Sequence, residues 1–349
     1  MDTFLERALE LHRAFPVVDA HRDLAAEILW QNCMGQYNVL ENRILPAMRC
    51  GGVDILVSSI FIENAYLPGQ GMEMTYRQID ALRTDIAQSR GSAVFIENAA
   101  GLRYALEHSV PGIILYCEGL DQIGTDIDRI DELFRLGVRG ASLTWSRRNA
   151  LGQGCCRADL NEDLTGRLSG YGKAALSRLE SLGMFVDVSH LNDDGFDDIV
   201  SLARRPFIAT HSNCRAVHGS YRNLRDDQIR ILASQGGITG LNNCLNITGA
   251  DRRRSETFIP CMADHIEHMI QTAGDTHAGF GFDFCDAYSA AYAAAHGEKD
   301  WYADDSLPGT YAQVPELTAE LLRRGYTDQT VARIIGGNFV SYFEKMLPE

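Results

Sequence analysis

Eight short apolar runs punctuate the chain: Val17–Asp19, Val53–Phe61, Gly112–Cys117, Val138–Thr144, Met184–Val188, Phe207–Thr210, Ile238–Leu241 and Ala278–Phe282. Runs of this length predict buried strands, and a helical spacing of apolar positions separates most of them. In Gly172–Leu182, for example, Ala175, Leu176, Leu179 and Leu182 recur at helical intervals, whereas Lys173, Arg178 and Glu180 fall on other faces. Ser169 and Gly183 bracket that segment as cap and stop. Strand and helix alternating eight times predict an α/β fold, a (β/α)8 TIM barrel rather than a doubly wound open sheet. No linker, repeat or low-complexity tract intervenes, so residues 1–349 read as one domain.

Two connections are longer than the rest: Asn242–Pro260 after the seventh run and Asp286–Gln313 after the eighth. Both follow strands, which puts them on the face where barrel enzymes carry their sites. Tyr288, Tyr292, Trp301 and Tyr302 favour a packed lid over loose surface for the second one. The tail Val314–Pro348 reads as two closing helices.

Composition narrows the function classes. A net charge of −15 argues against nucleic-acid binding, and the single basic run, Arg252-Arg253-Arg254, reads as a solvated loop. The first residues are acidic and amphipathic, unlike a secretory leader, and no apolar stretch approaches the roughly 20 residues that span a bilayer. The nine cysteines lack CxxC spacing, and the adjacent pair Cys155-Cys156 suits neither an ordinary disulfide nor a zinc knuckle. Reduced thiols in the cytoplasm are the economical reading.

The chemistry lies at the downstream ends of the runs. His21 and Asp23 end the first and share a face by strand alternation, with Asp19 one step deeper as a partner to orient His21. Glu118 follows the third run, where a carboxylate needs either a cation or a salt bridge such as one to Arg139. His190 and His211 end the fifth and sixth, each beside a hydroxyl, Ser189 and Ser212. This donor set suits Zn²⁺, with Mn²⁺, Co²⁺ or Fe²⁺ open. It exceeds what one open site needs, so two ions roughly 3.5–4 Å apart, sharing Glu118 and a bridging hydroxide, are expected. Asp283, at the end of the eighth run, reads as a general base, a further ligand or a helix cap. Arg222-Asn223 would bring a guanidinium over the site, and Arg222, Asn223 and Trp145 are the expected substrate-binding residues.

These segments, together with Gly137-Val138-Arg139, Leu143-Thr144, Gly281-Phe282-Asp283-Phe284 and Gly336-Gly337-Asn338-Phe339, resemble the renal or membrane dipeptidase family of zinc peptidases, within the metal-dependent amidohydrolase barrels. The resemblance spans nearly the whole chain. It implies that His21 and Asp23 hold one zinc and His190 and His211 the other, with Glu118 bridging. It further implies that Asp283 is the acid/base, that Arg222 grips the substrate carboxylate, and that the enzyme is a homodimer acting on dipeptides, often with a D-residue at the C-terminal position. Two positions depart from the family. Trp145 stands where better-known members have a histidine and can donate only from its indole; Cys285 stands where another Asp is frequent. These departures leave open an N-acyl amino acid or lactone as substrate, or an inactive barrel that binds small molecules.

Overall fold

The computed structural model describes residues 2–155, 164–251, 253–300 and 310–349. Its strands are β1 (Val18–Arg22), β2 (Ile55–Ile60), β3 (Val94–Phe95), β4 (Gly112–Cys117), β5 (Val138–Ser142), β6 (Phe185–Asp187), β7 (Thr239–Leu241) and β8 (Ala278–Phe280). All pairings between these strands are parallel, and they run β1-β2-β4-β5-β6 in one sheet and β7-β8 in another. Two seams join these into a closed (β/α)8 barrel. At the first, the predicted run Phe207–Thr210 lies between the sheets and contributes only single parallel bridges, Asp187 to Ile208 and Ala209 to Thr239. At the second, the Asp283 amide donates to the His21 carbonyl at 3.0 Å. The sequence reading did not include β3, which pairs with the first two residues of β4 where β5 has not yet begun.

Strand alternation sorts the core. Ile55, Val57, Ile114 and Tyr116 pack with Phe185, Ile208, Ile238, Phe339 and Phe343. Their neighbours Leu56, Ile113, Leu115 and Cys117 pack instead with helix residues such as Leu24, Ile28 and Leu82. Gly240 and Gly281 are required by close approach, because a Cβ at either would collide with the carbonyl of Thr210. The predicted helix near residue 172 spans Gly170–Ser181, and the Ser169 hydroxyl accepts from the Gly172 amide at 3.0 Å as its cap.

Both long connections carry structure. The one after β7 forms a short helix, Leu245–Thr248, before the helix Phe258–Ala273. Arg253 there is solvated and Arg254 pairs with Glu256, while Arg252 lies outside the described residues. After β8 comes the helix Asp286–His296, with Tyr288 and Tyr292 buried; Trp301 and Tyr302 lie outside the described residues. Tyr288 and Trp30 both donate to Glu63 Oε1, at 2.9 and 3.0 Å, which ties this helix to the loop after β2. The tail forms the helix Val314–Arg323 and then a composite helix from Asp328 through Met346 whose middle turn is π-wound. Among the described residues, no helix is long and apolar enough to cross a membrane. Every described cysteine that can be assigned is a free thiol; Cys156 lies outside them.

Candidate metal centre

The strand ends bring His21, Asp23, Glu118, His190, His211 and Asp283 to one mouth of the barrel. Local backbone explains several of the placements. Gly119 has φ +82°, and a Cβ there would press on Asp121 and on the Trp145 amide, so the chain can turn sharply just past Glu118. Asp283 itself sits at φ +59°, a left-handed conformation that Asp tolerates better than most residues. The pairing of β1 slips between Asp19 and Arg22, which re-aims the side chains around His21. Asp23 occupies the N-cap position of the helix Leu24–Cys33 but makes no capping bond; it accepts a hydrogen bond from Ser59 instead.

Three imidazole Nε2 atoms converge on Glu118 Oε1: His190 at 2.7 Å, His211 at 3.3 Å and His21 at 3.7 Å. His21 Nε2 is also 3.7 Å from Asp283 Oδ1, and the Nε2 atoms of His190 and His211 are 2.9 Å apart. Burial, reinforced by Arg222, pushes His190 down to about 4, and burial with the His21 charge holds His211 well below its usual value. Burial alone would lower His21 as well, but Glu118, Asp283 and Asp23 lift it to about 10. Burial and the Glu118 charge push Asp23 up to about 8, while His21 and His190 overcome burial to keep Glu118 well below the carboxylate range. Carboxylates crowded in this way lack a full complement of positive charge.

The other ring nitrogens fix the tautomers. Asp187 Oδ2 accepts from the Thr210 hydroxyl at 2.6 Å, so Thr210 Oγ1 is left to accept from His211 Nδ1 at 2.7 Å. His190 Nδ1 similarly meets Ser146 Oγ at 2.8 Å, and its Nε2 accepts from Arg222 Nη2 at 3.0 Å. Both imidazoles therefore aim an Nε2 lone pair at the centre, as ligands must. His21 completes the test of fit: both its ring nitrogens are fully buried and neither has a hydrogen-bond partner. Buried polar atoms without partners are costly, and a divalent cation between His21, Asp23, Glu118, His190 and His211 satisfies this donor set.

The centre floors a small cavity of about 90 Å³, walled by Phe61, Trp145, Ile247 and Tyr288. Trp145 stacks on His190 with ring centroids 5.7 Å apart, and Arg147 lies 5.1 Å from the Trp145 ring. Arg222 reaches the cavity, but both its terminal nitrogens are engaged: Nη1 with the Ser189 carbonyl and Ser212, Nη2 with the His211 carbonyl and His190. Asn242 steadies Asp283 Oδ2 at 2.9 Å, and Cys244 donates to the same oxygen at 3.4 Å.

Four expectations are corrected. Asn223 does not line the cavity; its amide bridges the carbonyls of His218 and Ile247, at 2.9 and 2.8 Å. Asp19 does not orient the His21 ring, because the slip in β1 turns it to the backbone amides of His21 and Phe282 and to the Tyr311 hydroxyl. Arg139 is spent on the carbonyls of Glu97, Phe134 and Val138, not on Glu118. Asp283 is no helix cap, since Cys285 occupies the N-cap of the following helix. Sequence reasoning also missed Ser146, Thr210, Asp187, Ser59, Cys244 and Phe61. A hydroxyl beside a strand-end histidine was the available signal, but it pointed to Ser189 and Ser212 rather than to Thr210.

A sequence model of the membrane dipeptidase family (peptidase family M19) matches residues 5–346. The chain is 30% identical to an uncharacterized protein in the pqqA 5′ region of Klebsiella pneumoniae, over 78% of this chain and 96% of that one. It is 25% identical to the dipeptidase verJ of Clonostachys rogersoniana, over 99% of this chain and 88% of that one. A metallo peptidase from Rhodobacter sphaeroides, liganded with a phosphinate mimic of the dipeptide L-Ala-D-Ala, superposes with a TM-score of 0.82 at 25% identity, over 95% of this chain and 99% of that one.

Proposed function

Because the chain belongs to the membrane dipeptidase family, the metallo-dipeptidases of peptidase family M19, we propose that it hydrolyses free-carboxylate dipeptides, L-Xaa-L-Xaa or L-Xaa-D-Xaa, at a centre of two divalent ions, zinc foremost. The convergence of three imidazole Nε2 atoms on one Glu118 oxygen carries this reading. His21 and Asp23 would hold one ion, His190 and His211 the other, and Glu118 would be shared. When bound, the ions supply Lewis acidity and a nucleophilic water at neutral pH. The phosphinate dipeptide mimic on the Rhodobacter sphaeroides relative supports a dipeptide as substrate.

The remaining residues supply binding and proton transfer. Asp283, steadied by Asn242, takes the proton from the attacking water and delivers it to the leaving nitrogen as the C–N bond breaks. Arg222 receives the substrate carboxylate. The His190 lone pair that accepts from Arg222 Nη2 is the one a metal would need, so with the centre filled Arg222 would have one guanidinium donor to offer the substrate. Trp145 and Phe61 form a flat wall beside His190 that cannot titrate. Residues 1–349 act as one domain in this reading, as a homodimer, and the free thiols suit the reducing cytoplasm. Elemental analysis of zinc-saturated protein should approach two ions per chain, and a stoichiometry fixed at one refutes the shared Glu118. Turnover of dipeptides but not of N-acyl amino acids or lactones is expected; the reverse pattern moves the activity to those substrates.

A further inference from the structure

Two thiols in the cavity wall, Cys244 and Cys285, approach the carboxylates of the centre, and Cys285 is the one grouped with both Asp23 and Asp283. Its sulfur and the carboxylate oxygens of Asp23 and Asp283 all lie within 4.8 Å of one another. The residue is only 6% exposed and lines the cavity. It occupies the N-cap position of the helix Asp286–His296 without making a capping hydrogen bond, and burial together with Cys244 and the Asp283 and Asp23 carboxylates holds the free thiol well above its usual range, so only a cation between these groups would favour the thiolate. A second observation points into the same space: His21 Nε2, buried and without a hydrogen-bond partner, is 3.7 Å from Asp283 Oδ1.

We propose that Cys285 is a thiolate ligand of the ion held by His21 and Asp23. The proposal rests on the metal-centre reading above and extends it to a donor of a different class. On ligation the S–H bond is replaced by a sulfur–metal bond and the proton leaves to solvent, with no change of oxidation state. Cys244 is the neighbouring thiol, but its S–H is directed to Asp283 Oδ2 at 3.4 Å, so it acts on the carboxylate and not on the ion. A thiolate among imidazole and carboxylate donors shifts metal preference toward Zn²⁺, Co²⁺ and Cd²⁺ and away from Mg²⁺ and Mn²⁺.

Cobalt distinguishes the proposal from the reading beneath it. Chelator-stripped full-length protein, titrated with Co²⁺ under reducing, oxygen-free conditions, should develop visible ligand-field bands, which any imidazole and carboxylate site gives. It should also develop a near-ultraviolet thiolate-to-cobalt charge-transfer band. Cys285→Ser should keep the visible bands and lose the charge-transfer band, whereas Cys244→Ser should keep both. Visible bands without charge transfer in the natural protein, or a charge-transfer band that survives Cys285→Ser, overturn the thiolate while leaving the metal centre standing. Absence of any visible band overturns both. Should Cys285→Ser fail to fold, the natural protein and Cys244→Ser still decide the question, because loss of charge transfer in Cys244→Ser assigns the band to the wrong sulfur.

Discussion

Thr210 is a single hydroxyl on which the aim of His211 depends, and Thr210→Val removes it at nearly constant volume. Three hydrogen bonds go: the 2.7 Å contact to His211 Nδ1, the 2.6 Å donation to Asp187 Oδ2 and a long 3.4 Å contact with the Ser189 hydroxyl. Asp187 keeps its other donors, the Tyr116 and Ser189 hydroxyls and the Ser189 and Thr210 amides, so its own loss is modest. His211 is fully buried, and an unsatisfied Nδ1–H there would cost about 1–3 kcal/mol. The ring can avoid that cost by moving its proton to Nε2, which lies 3.3 Å from Glu118 Oε1. The metal-free variant should therefore lose only about 1 kcal/mol of stability, the net worth of an ordinary hydrogen bond. Metal binding must then reverse the tautomer and restore the unsatisfied donor. Loss of such an orienting partner typically weakens metal affinity by about 10–100-fold, or about 1.4–2.7 kcal/mol. Competition against a chromogenic chelator measures the affinity, and urea unfolding of the stripped protein measures the stability. Undiminished metal affinity, or an equal loss in both measurements, refutes the tautomer argument.

Asp283→Asn should retain its metals, because the ligand cluster stands without it, and lose about 10²–10⁴-fold in kcat as a proton shuttle does; loss of metal by this variant would make Asp283 a ligand. Arg222→Met should lower kcat/KM for a dipeptide by about tenfold or more and barely change it for the C-terminal amide, since a charge-assisted contact contributes about 1.5–3 kcal/mol. Lysine at that position should restore the acid preference only in part, for want of the planar fork. Equal losses on acid and amide would mean that Arg222 serves only the carbonyls of Ser189 and His211 that it already holds.

The barrel was legible because its strands are buried on both faces and so stand out as apolar runs, and because polar residues that end such runs are rarely there for packing. His21, Glu118, His190, His211 and Asp283 all sit at run ends, and all reach the same mouth. What escaped the sequence has identifiable causes. At two residues, β3 is too short to show a period. Asp19 was misjudged because strict alternation fails where β1 slips register. Asn223 was assigned through its neighbour Arg222, but adjacent residues need not share a face, and its amide holds two loops together. Ser146, Thr210 and Ser59 act on residues 44, 1 and 36 positions away, and only the Thr210 pair is local enough to be guessed.

The seams of the barrel give its metal centre a mechanical meaning. Where Phe207–Thr210 joins the sheets, the ladder thins to isolated bridges, and His190, just past β6, meets His211 at the end of that run. At the other joint, His21 on β1 faces Asp283 beyond β8 across a single amide-to-carbonyl bond. An ion held by His190 and His211 would be a rivet across a joint the backbone closes weakly, so occupancy and closure belong to one equilibrium. Stripping the metal should accordingly quicken amide exchange at Val188 and Gly240 while leaving the continuous β2–β4 ladder slow. Uniform exchange along all ladders would mean that the backbone alone keeps the ring shut.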